Sequence, residues 1–359
     1  MIIEHNTMPV VIADNFKCIE QKYTIFIRGI WDPDIIPIMK KLEEAHYNLK
    51  LPKGTSGYTT LDAALKAAAW SVSMQYAPEN EYGCANRGFY DWDGKKGLKK
   101  ENFADKSEAS LIIKKAAKFL GADLVGIADY DSRWIYSSWY DFATGQSVPA
   151  EFPFKIESVI VVAIEMDQDA CFSSPSLISS AASGLAYSQM AQTAKKIATF
   201  IRMLGYNAIP CGNDTALSIP LAMQAGLGEV GRNGMLITPQ YGPRVRLLKI
   251  FTDLPLQADK PITFGVSKFC MKCQKCAQTC PAEAIPFDPK PTMEGTSLSN
   301  CSGILKWYTN PEKCIRFWAE NGGDCSNCIA CCPYNKWSSW HHNLVEKVTE
   351  SIGGDILRK

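Results

Sequence analysis

CMKCQKCAQTCP, running from Cys270 to Pro281, places four cysteines at the spacing C-x2-C-x2-C-x3-C and closes on proline. Three thiolates that near to one another occupy three corners of one [4Fe–4S] cube, while the fourth is carried to a second cube. Zinc is normally satisfied by separated C-x2-C pairs, which is not this pattern. A second, stretched run completes the ligand set: Cys314, ten residues, Cys325, two residues, Cys328, three residues, then Cys332 and Pro333. Cys331 competes with Cys332. Reading Cys325, Cys328 and Cys331 as an unstretched run puts Asn335 where a fourth ligand is needed, and the proline follows Cys332. One cluster is therefore assigned to Cys270, Cys273, Cys276 and Cys332, and the other to Cys280, Cys314, Cys325 and Cys328, with Cys301 and Cys331 spare.

Ten of the 14 cysteines of this 359-residue chain fall between Cys270 and Cys332, whereas Cys18, Cys84, Cys171 and Cys211 are scattered upstream. That distribution suits metal ligation better than a disulfide framework. The run is that of bacterial ferredoxins, and two cubes in a small domain move electrons one at a time. A free-standing ferredoxin needs only about 60–80 residues. The upstream chain is thus expected to bind what consumes or supplies the electrons: a flavin, a second protein or a tetrapyrrole.

Composition narrows the partners. Lys plus Arg is 38 against 37 for Asp plus Glu, a net charge of +1 that gives no electrostatic case for nucleic acid. With 46% apolar and 21% charged residues the chain has ample core for a globular fold. The opening residues MIIEHNTMPVVIADNFK carry neither a secretory pattern nor a twin-arginine pair. The longest apolar run, Val159 to Ile164, is strand-sized and far short of the roughly 20 residues that span a bilayer. The chain as written is expected to be cytoplasmic; the alternative is the outer face of the cytoplasmic membrane, if an export leader has been removed.

Residues 1–105 are aromatic-rich and irregular, with one helical patch from Leu61 to Val72. From Ser107 the pattern alternates. Ser107 is expected to cap a helix through Phe119, Asp123 to Ala128 and Ser158 to Ile164 read as strands, and Tyr187 to Leu204 as an amphipathic helix stopped by Gly205. A short strand leads into a polar turn at Pro210 to Asp214, a helix ends near Gly226, and Val245 to Phe251 restores a strand. The expected fold class is α/β (α+β), a sheet flanked by helices with polar residues presented from loops. The expected divisions are an N-terminal segment 1–105, a core 106–262, a ferredoxin-like domain 263–340 and a tail 341–359, with the boundary near Lys260 to Ser267.

Ser173 to Leu256 (SSPSLISSAASGLAYSQMAQ through RVRLLKIFTDLPL), together with GADLVGIADYDSRWIYSSW (Gly121 to Trp139), FGVSKFCMKCQKCAQTCP and FWAENGGDCSNCIACCPYNKWSSW, closely resembles the corrinoid-dependent reductive dehalogenases. The resemblance covers about two thirds of the chain and is patchy ahead of Ser107, where LDAALKAAAW is the best segment. It implies a nitroreductase-like core that holds a corrinoid, of the cobalamin or norpseudo-B12 type, base-off and wired to two [4Fe–4S] clusters. The histidines are His5, His46, His341 and His342, and none stands in an Asp-x-His-x-x-Gly motif, consistent with a cobalt left free of protein imidazole.

Carried over by motif, Tyr187 in AYSQM matches the proton-donor tyrosine, Arg246 in GPRVRL the arginine beside it, and Asn213 in PCGND the asparagine of the halogen pocket. Trp70 and Trp318 match aromatic pocket walls, and 1–105 is expected to contribute to that pocket and to cover the corrinoid. The Gly-rich segment with Gly226, Gly228, Gly231, Asn233 and Gly234, and Thr238 beyond it, is expected to approach the corrinoid, since glycine lets backbone come close to a flat ligand. Taken alone, Tyr187 and Arg246 would more often be surface residues of a helix and a strand; the motif is what assigns them.

The implied activity is replacement of a carbon-bound halogen of a small organohalide by hydrogen, fed by an external low-potential donor. The alternatives are an epoxyqueuosine reductase-like corrinoid enzyme, or a non-catalytic electron carrier. Exported relatives have a membrane-anchor partner and extend further past the clusters than the 27 residues after Cys332 here, so a trimmed form and a compact cytoplasmic one both stay open, as does a homodimer. Asp324 stands where some relatives carry a tyrosine near the substrate channel, which leaves the organohalide unspecified.

Overall fold

The computed structural model describes residues 2–47, 55–75, 88–97 and 99–335. Cys84, the His46 side chain, His341, His342, the last residues 336–340 of the expected ferredoxin-like domain and the tail 341–359 lie outside them. The N-terminal segment supplies β1 (Ile3–Glu4), α1 (Ile25–Trp31), α2 (Ile36–Tyr47) and α3 (Thr60–Gln75). The central part runs α4 (Lys106–Phe119), β2 (Leu124–Asp129), a hairpin of β3 (Trp139–Asp141) and β4 (Gln146–Val148), then β5 (Ser158–Glu165), α5 (Gln168–Phe172) and α6 (Leu177–Met203). It continues with β6 (Ala208–Cys211), α7 (Ser218–Gln224), a hairpin of β7 (Glu229–Val230) and β8 (Leu236–Ile237), and β9 (Val245–Thr252). After β10 (Ile262–Thr263), the cysteine-rich part holds α8 (Val266–Lys272), α9 (Lys275–Gln278), α10 (Pro311–Asn321) and α11 (Asn327–Ala330).

The central sheet has the order β2-β5-β9-β6 and every pairing in it is antiparallel, so the architecture is α+β. Both faces are covered, which is why its middle strands read as unbroken apolar runs. On β5, Ile160, Val162 and Ile164 face the core shared with α4 and α6, while Val159, Val161 and Ala163 face the core shared with α7. The same alternation on β9 puts Arg246 on the α6 side with Leu248 and Ile250, and Lys249 on the other. Register places Arg246 opposite Ile164 and Lys249 opposite Val161.

Two helix starts differ from expectation. The cap of α4 is Asp105, whose carboxylate accepts from the Ser107 and Glu108 amides; Ser107 is already inside the helix. Helix α6 begins at Leu177, ten residues ahead of Tyr187, with Ser176 and Ser179 forming a reciprocal capping box. Serine has modest helix propensity, and the run SSPSLISSAAS hides its helical character because several of its hydroxyls serve as cap or as tertiary hydrogen bonds.

The N-terminal segment lies along the cysteine-rich part. Strand β1 pairs with β10, Ile12 bridges Ile304, and the buried Arg28 ties α1 to Asp32 and to Glu312 of α10. Among the described residues no helix is long and apolar enough to cross a membrane.

Candidate active site and cluster centre

Tyr187 lies in the middle of α6 with its ring between two partners. The Trp70 indole of α3 stacks on it, ring centroids 5.4 Å apart at 26°, and the Arg246 guanidinium stands 5.1 Å from the ring centroid. The Asn213 amide donates to the Tyr187 hydroxyl at 2.8 Å. The fold thus unites Tyr187, Arg246, Asn213 and Trp70, contributed by a helix, a strand, a turn and a second helix. Gly184, one turn before Tyr187, admits Trp70: a Cβ there would lie 2.4 Å from the indole Cδ1. Trp70 also donates to the Ser180 carbonyl at 3.1 Å, and Arg246 donates to the Ser183 hydroxyl at 2.9 Å. The Arg246 Nε is buried without a hydrogen-bond partner among the described residues.

Trp318 lies on α10. It packs on Phe26, centroids 6.4 Å apart, against the cluster of Ile35, Ile38, Met39, Leu42, Ile315 and Ala319. Its buried indole N–H also has no partner among the described residues.

Behind these residues are buried polar groups that the sequence reading passed over. Lys249 donates to the Gly212 carbonyl and the Ser218 hydroxyl, pinning the turn that presents Asn213. Burial lowers its amine and raises the neighbouring Asp214 carboxyl, each opposing the other's shift. Two turns before Tyr187 on α6, the Ser180 hydroxyl donates to Asp324. Lys66 of α3 donates to the Gly322 carbonyl at 3.0 Å; burial pushes its amine down to about 8 against the pull of Asp324. Ser180 and Tyr187 are two turns apart, about 10 Å along the helix axis, so the loop bearing Cys325 docks on the helix that carries the tyrosine.

The cluster cysteines gather as two groups. Cys276 has Cys331, Cys270, Cys332 and Cys273 as its electrostatic neighbours, and Cys332 has Cys270, Cys331 and Cys273. Cys314 has Cys325 and Cys280, while Cys328 faces Cys314 and Cys325 before Cys276. Cys331 sits beside the first group but takes the Thr279 hydroxyl at 3.1 Å. Among the described residues no three His, Cys, Asp or Glu side chains converge on one point as a single ion requires. A cube, by contrast, spreads its thiolates over separate irons. Burial pushes the thiols of Cys276, Cys314 and Cys332 up to about 12, so their ionised forms need a cationic centre, which a cube's irons supply. The donor set fits [4Fe–4S] groups.

Arg232, in the Gly-rich segment, holds the loop of the first group. The residue is 1% exposed, and its guanidinium donates to the carbonyls of Cys270, Cys273, Pro286 and Asp288, with Trp307 beneath it at 4.7 Å. Its place in GRNG, flanked by glycines, was the available signal. The neighbouring residues expected at the corrinoid are engaged with the chain itself. A Cβ on Gly226 would meet the Lys260 carbonyl at 2.6 Å, and one on Gly228 the Ile237 carbonyl at 2.0 Å. Gly231 and Gly234 lie against Ile237 and Thr309, Asn233 donates to the Cys328 carbonyl at 3.2 Å, and the Thr238 hydroxyl donates to that of Gly242. Of these contacts, those of Asn233 with Cys328 and of Gly234 with Thr309 bind the β7–β8 hairpin to the cysteine-rich part.

A domain family described as a 4Fe-4S dicluster domain matches residues 269–336. The chain is 41% identical to a tetrachloroethene reductive dehalogenase of Desulfitobacterium hafniense, aligned over 82% of this chain and 66% of that protein. It is 34% identical to the tetrachloroethene reductive dehalogenase of Sulfurospirillum multivorans, over 86% and 68%. The chain belongs to the reductive dehalogenases. It spans about two thirds of the length of these family members. Its fold matches a solved reductive dehalogenase, one whose structure suggests a mechanism for B12-dependent dehalogenation, with a TM-score of 0.73 over 97% of this chain and 46% of that one, at 23% identity. Within the reductive dehalogenase frame, the dicluster segment is the part that packs on α5, α6 and the N-terminal segment.

Proposed function

We propose that this reductive dehalogenase chain replaces a carbon-bound halogen of a small organohalide by hydrogen, with a corrinoid beside Tyr187. One [4Fe–4S] cluster is held by Cys270, Cys273, Cys276 and Cys332, the other by Cys280, Cys314, Cys325 and Cys328, and electrons enter from an external low-potential donor. The observation that carries this reading is the tyrosine hydroxyl fixed by Asn213, with its ring between an indole and a guanidinium. The corrinoid, when bound, supplies the electrons that cleave the carbon–halogen bond. Two electrons and one proton turn R–X into R–H and a halide ion.

The protein's part is the proton and the surroundings. Tyr187 Oη gives the proton to carbon, and the guanidinium of Arg246 stabilises the phenolate left behind. Ser183 holds that guanidinium against the ring, and its partnerless Nε is a donor for a polar group of a ligand. Asn213, exposed on a turn braced by Lys249, keeps the hydroxyl directed and faces the departing halide. Trp70 closes one side of the ring to water.

Tyr187→Phe is expected to retain corrinoid and about eight irons per chain while turnover falls by roughly 10²- to 10⁴-fold, the range for loss of a general acid. Arg246→Lys is expected to be impaired as well, because an ammonium lacks the planar fork that reaches Ser183 while lying on the ring. Single-turnover halide release from fully loaded variants measures both. Near-wild-type release by Tyr187→Phe removes the tyrosine from the chemistry.

A further inference from the structure

Two cysteines that neither cluster needs meet each other. Cys18, in the N-terminal segment, and Cys301, between α9 and α10, are 283 positions apart, yet their sulfurs stand 3.2 Å from one another, with residue exposures of 4% and 8%. Phe16, Ile19, Tyr136, Trp139 and Leu217 form an apolar sleeve around them. The loop carrying Cys301 is pinned by the buried Tyr308, whose hydroxyl lies 3.0 Å from the Cys301 carbonyl and 2.8 Å from that of Ile304. Among the described residues no third His, Cys, Asp or Glu joins them in a metal-binding group.

We propose that Cys18 and Cys301 are a redox-active pair whose oxidation to a disulfide staples the N-terminal segment to the cluster-bearing part of the chain. A disulfide brings its sulfurs to about 2.05 Å, so closure takes about 1 Å of approach, within reach of side-chain rotation. The two thiols are unequal. Of the two sulfurs, that of Cys301 accepts the Ile19 N–H at 3.4 Å and has the Lys306 side chain on its side, which favour the anion there against its burial. With the backbone N–H at its sulfur, Cys301 is the attacking thiolate. It breaks the S–S bond of a small disulfide RSSR, releasing one RS⁻. Cys18, on losing its proton, attacks the Cys301 sulfur of the mixed disulfide and releases the second RS⁻. The balance is two cysteine thiols plus RSSR giving one protein disulfide and two RSH.

The position of the staple gives it a consequence. It lies between the Ile12–Ile304 bridge and α1, and α1 in turn holds α10 through Arg28–Glu312 and Phe26–Trp318. Oxidation would thus fix the segment that packs on the helix bearing Cys314 and Trp318.

The test uses the cluster-loaded protein, kept anoxic and equilibrated with glutathione buffers of graded GSSG content. It is then acid-quenched, alkylated in denaturant, digested and weighed. The expected product is a joined peptide pair containing Cys18 and Cys301, two hydrogens lighter than the sum of the free peptides and reverted by reductant, with iron content unchanged. The oxidised protein should unfold at a higher temperature than its reduced form, a gap missing in Cys18→Ser. Should that variant fail to fold, the comparison of oxidised with reduced wild type still decides. Complete alkylation of both cysteines in the most oxidising buffer, with or without iron loss, overturns the pair. A linkage that leaves the unfolding temperature unmoved overturns the staple.

Discussion

Tyr187 depends on neighbours that single residues admit or restrain, and the same holds at the clusters. Arg232 is a buried cation whose hydrogen bonds all go to main-chain carbonyls, two of them belonging to Cys270 and Cys273. Removing the guanidinium leaves several buried carbonyls unsatisfied at about 1–3 kcal/mol each. Arg232→Met is therefore expected to lose the cluster of Cys270, Cys273, Cys276 and Cys332 and keep the other. Iron analysis should fall from about eight to about four per chain, and the spectrum of one cluster should persist. Full iron in this variant sinks the idea. The thiols themselves were legible in the sequence from their spacing; the arginine was not, because its partners are carbonyls, and every residue has one.

At the scale of elements, the decisive contact is α3 on α6. Their approach is set by Gly184 under Trp70 and by Ser188, whose hydroxyl donates to the Ala69 carbonyl and accepts from the Ser73 amide. Gly184→Ala puts a methyl where the indole sits, an overpacking that costs about 1–3 kcal/mol. The expected outcome is a lower unfolding temperature, altered tryptophan emission and reduced turnover as Trp70 leaves the Tyr187 ring. Unchanged stability and emission would show that α3 yields without loss. The helical patch Leu61 to Val72 and the strand Ser158 to Ile164 were readable because propensity and apolar continuity agree there with the final structure. The start of α6 was not, since its first turns are serines whose caps and tertiary partners appear only when the chain is folded.

Across the whole molecule, the N-terminal segment, the sheet core and the dicluster segment share one set of contacts. Arg28, 4% exposed, joins α1 to α10 through Asp32 and Glu312. Breaking a buried pair by removing one partner costs about 3–5 kcal/mol, and the partial exposure of Glu312 argues for the lower end. Arg28→Met is expected to destabilise by about 3 kcal/mol on that basis. It should also loosen α1 and α2 from Trp318, seen as a lower denaturation midpoint and faster quenching of tryptophan fluorescence by iodide. An unmoved midpoint places the tie among the weak surface pairs.

What short-range geometry controls could be read from the residues alone. Three thiolates of one cube must lie within a few residues of each other, so C-x2-C-x2-C announces the cluster whatever surrounds it, and long apolar runs announce buried strands. Through the resemblance its motifs carry, the sequence also pointed to Tyr187, to Arg246 beside it and to Asn213 as candidate site residues. What holds Arg246 against Tyr187 is the register of β9, since a one-residue slip would turn it to the opposite face of the sheet. Packing likewise decided that Trp318 seats on Phe26, that Arg232 holds the loop of Cys270 and Cys273, and that Cys18 meets Cys301. Such contacts join residues tens to hundreds of positions apart, and no local spacing encodes a distance that is set by how helices and strands stack.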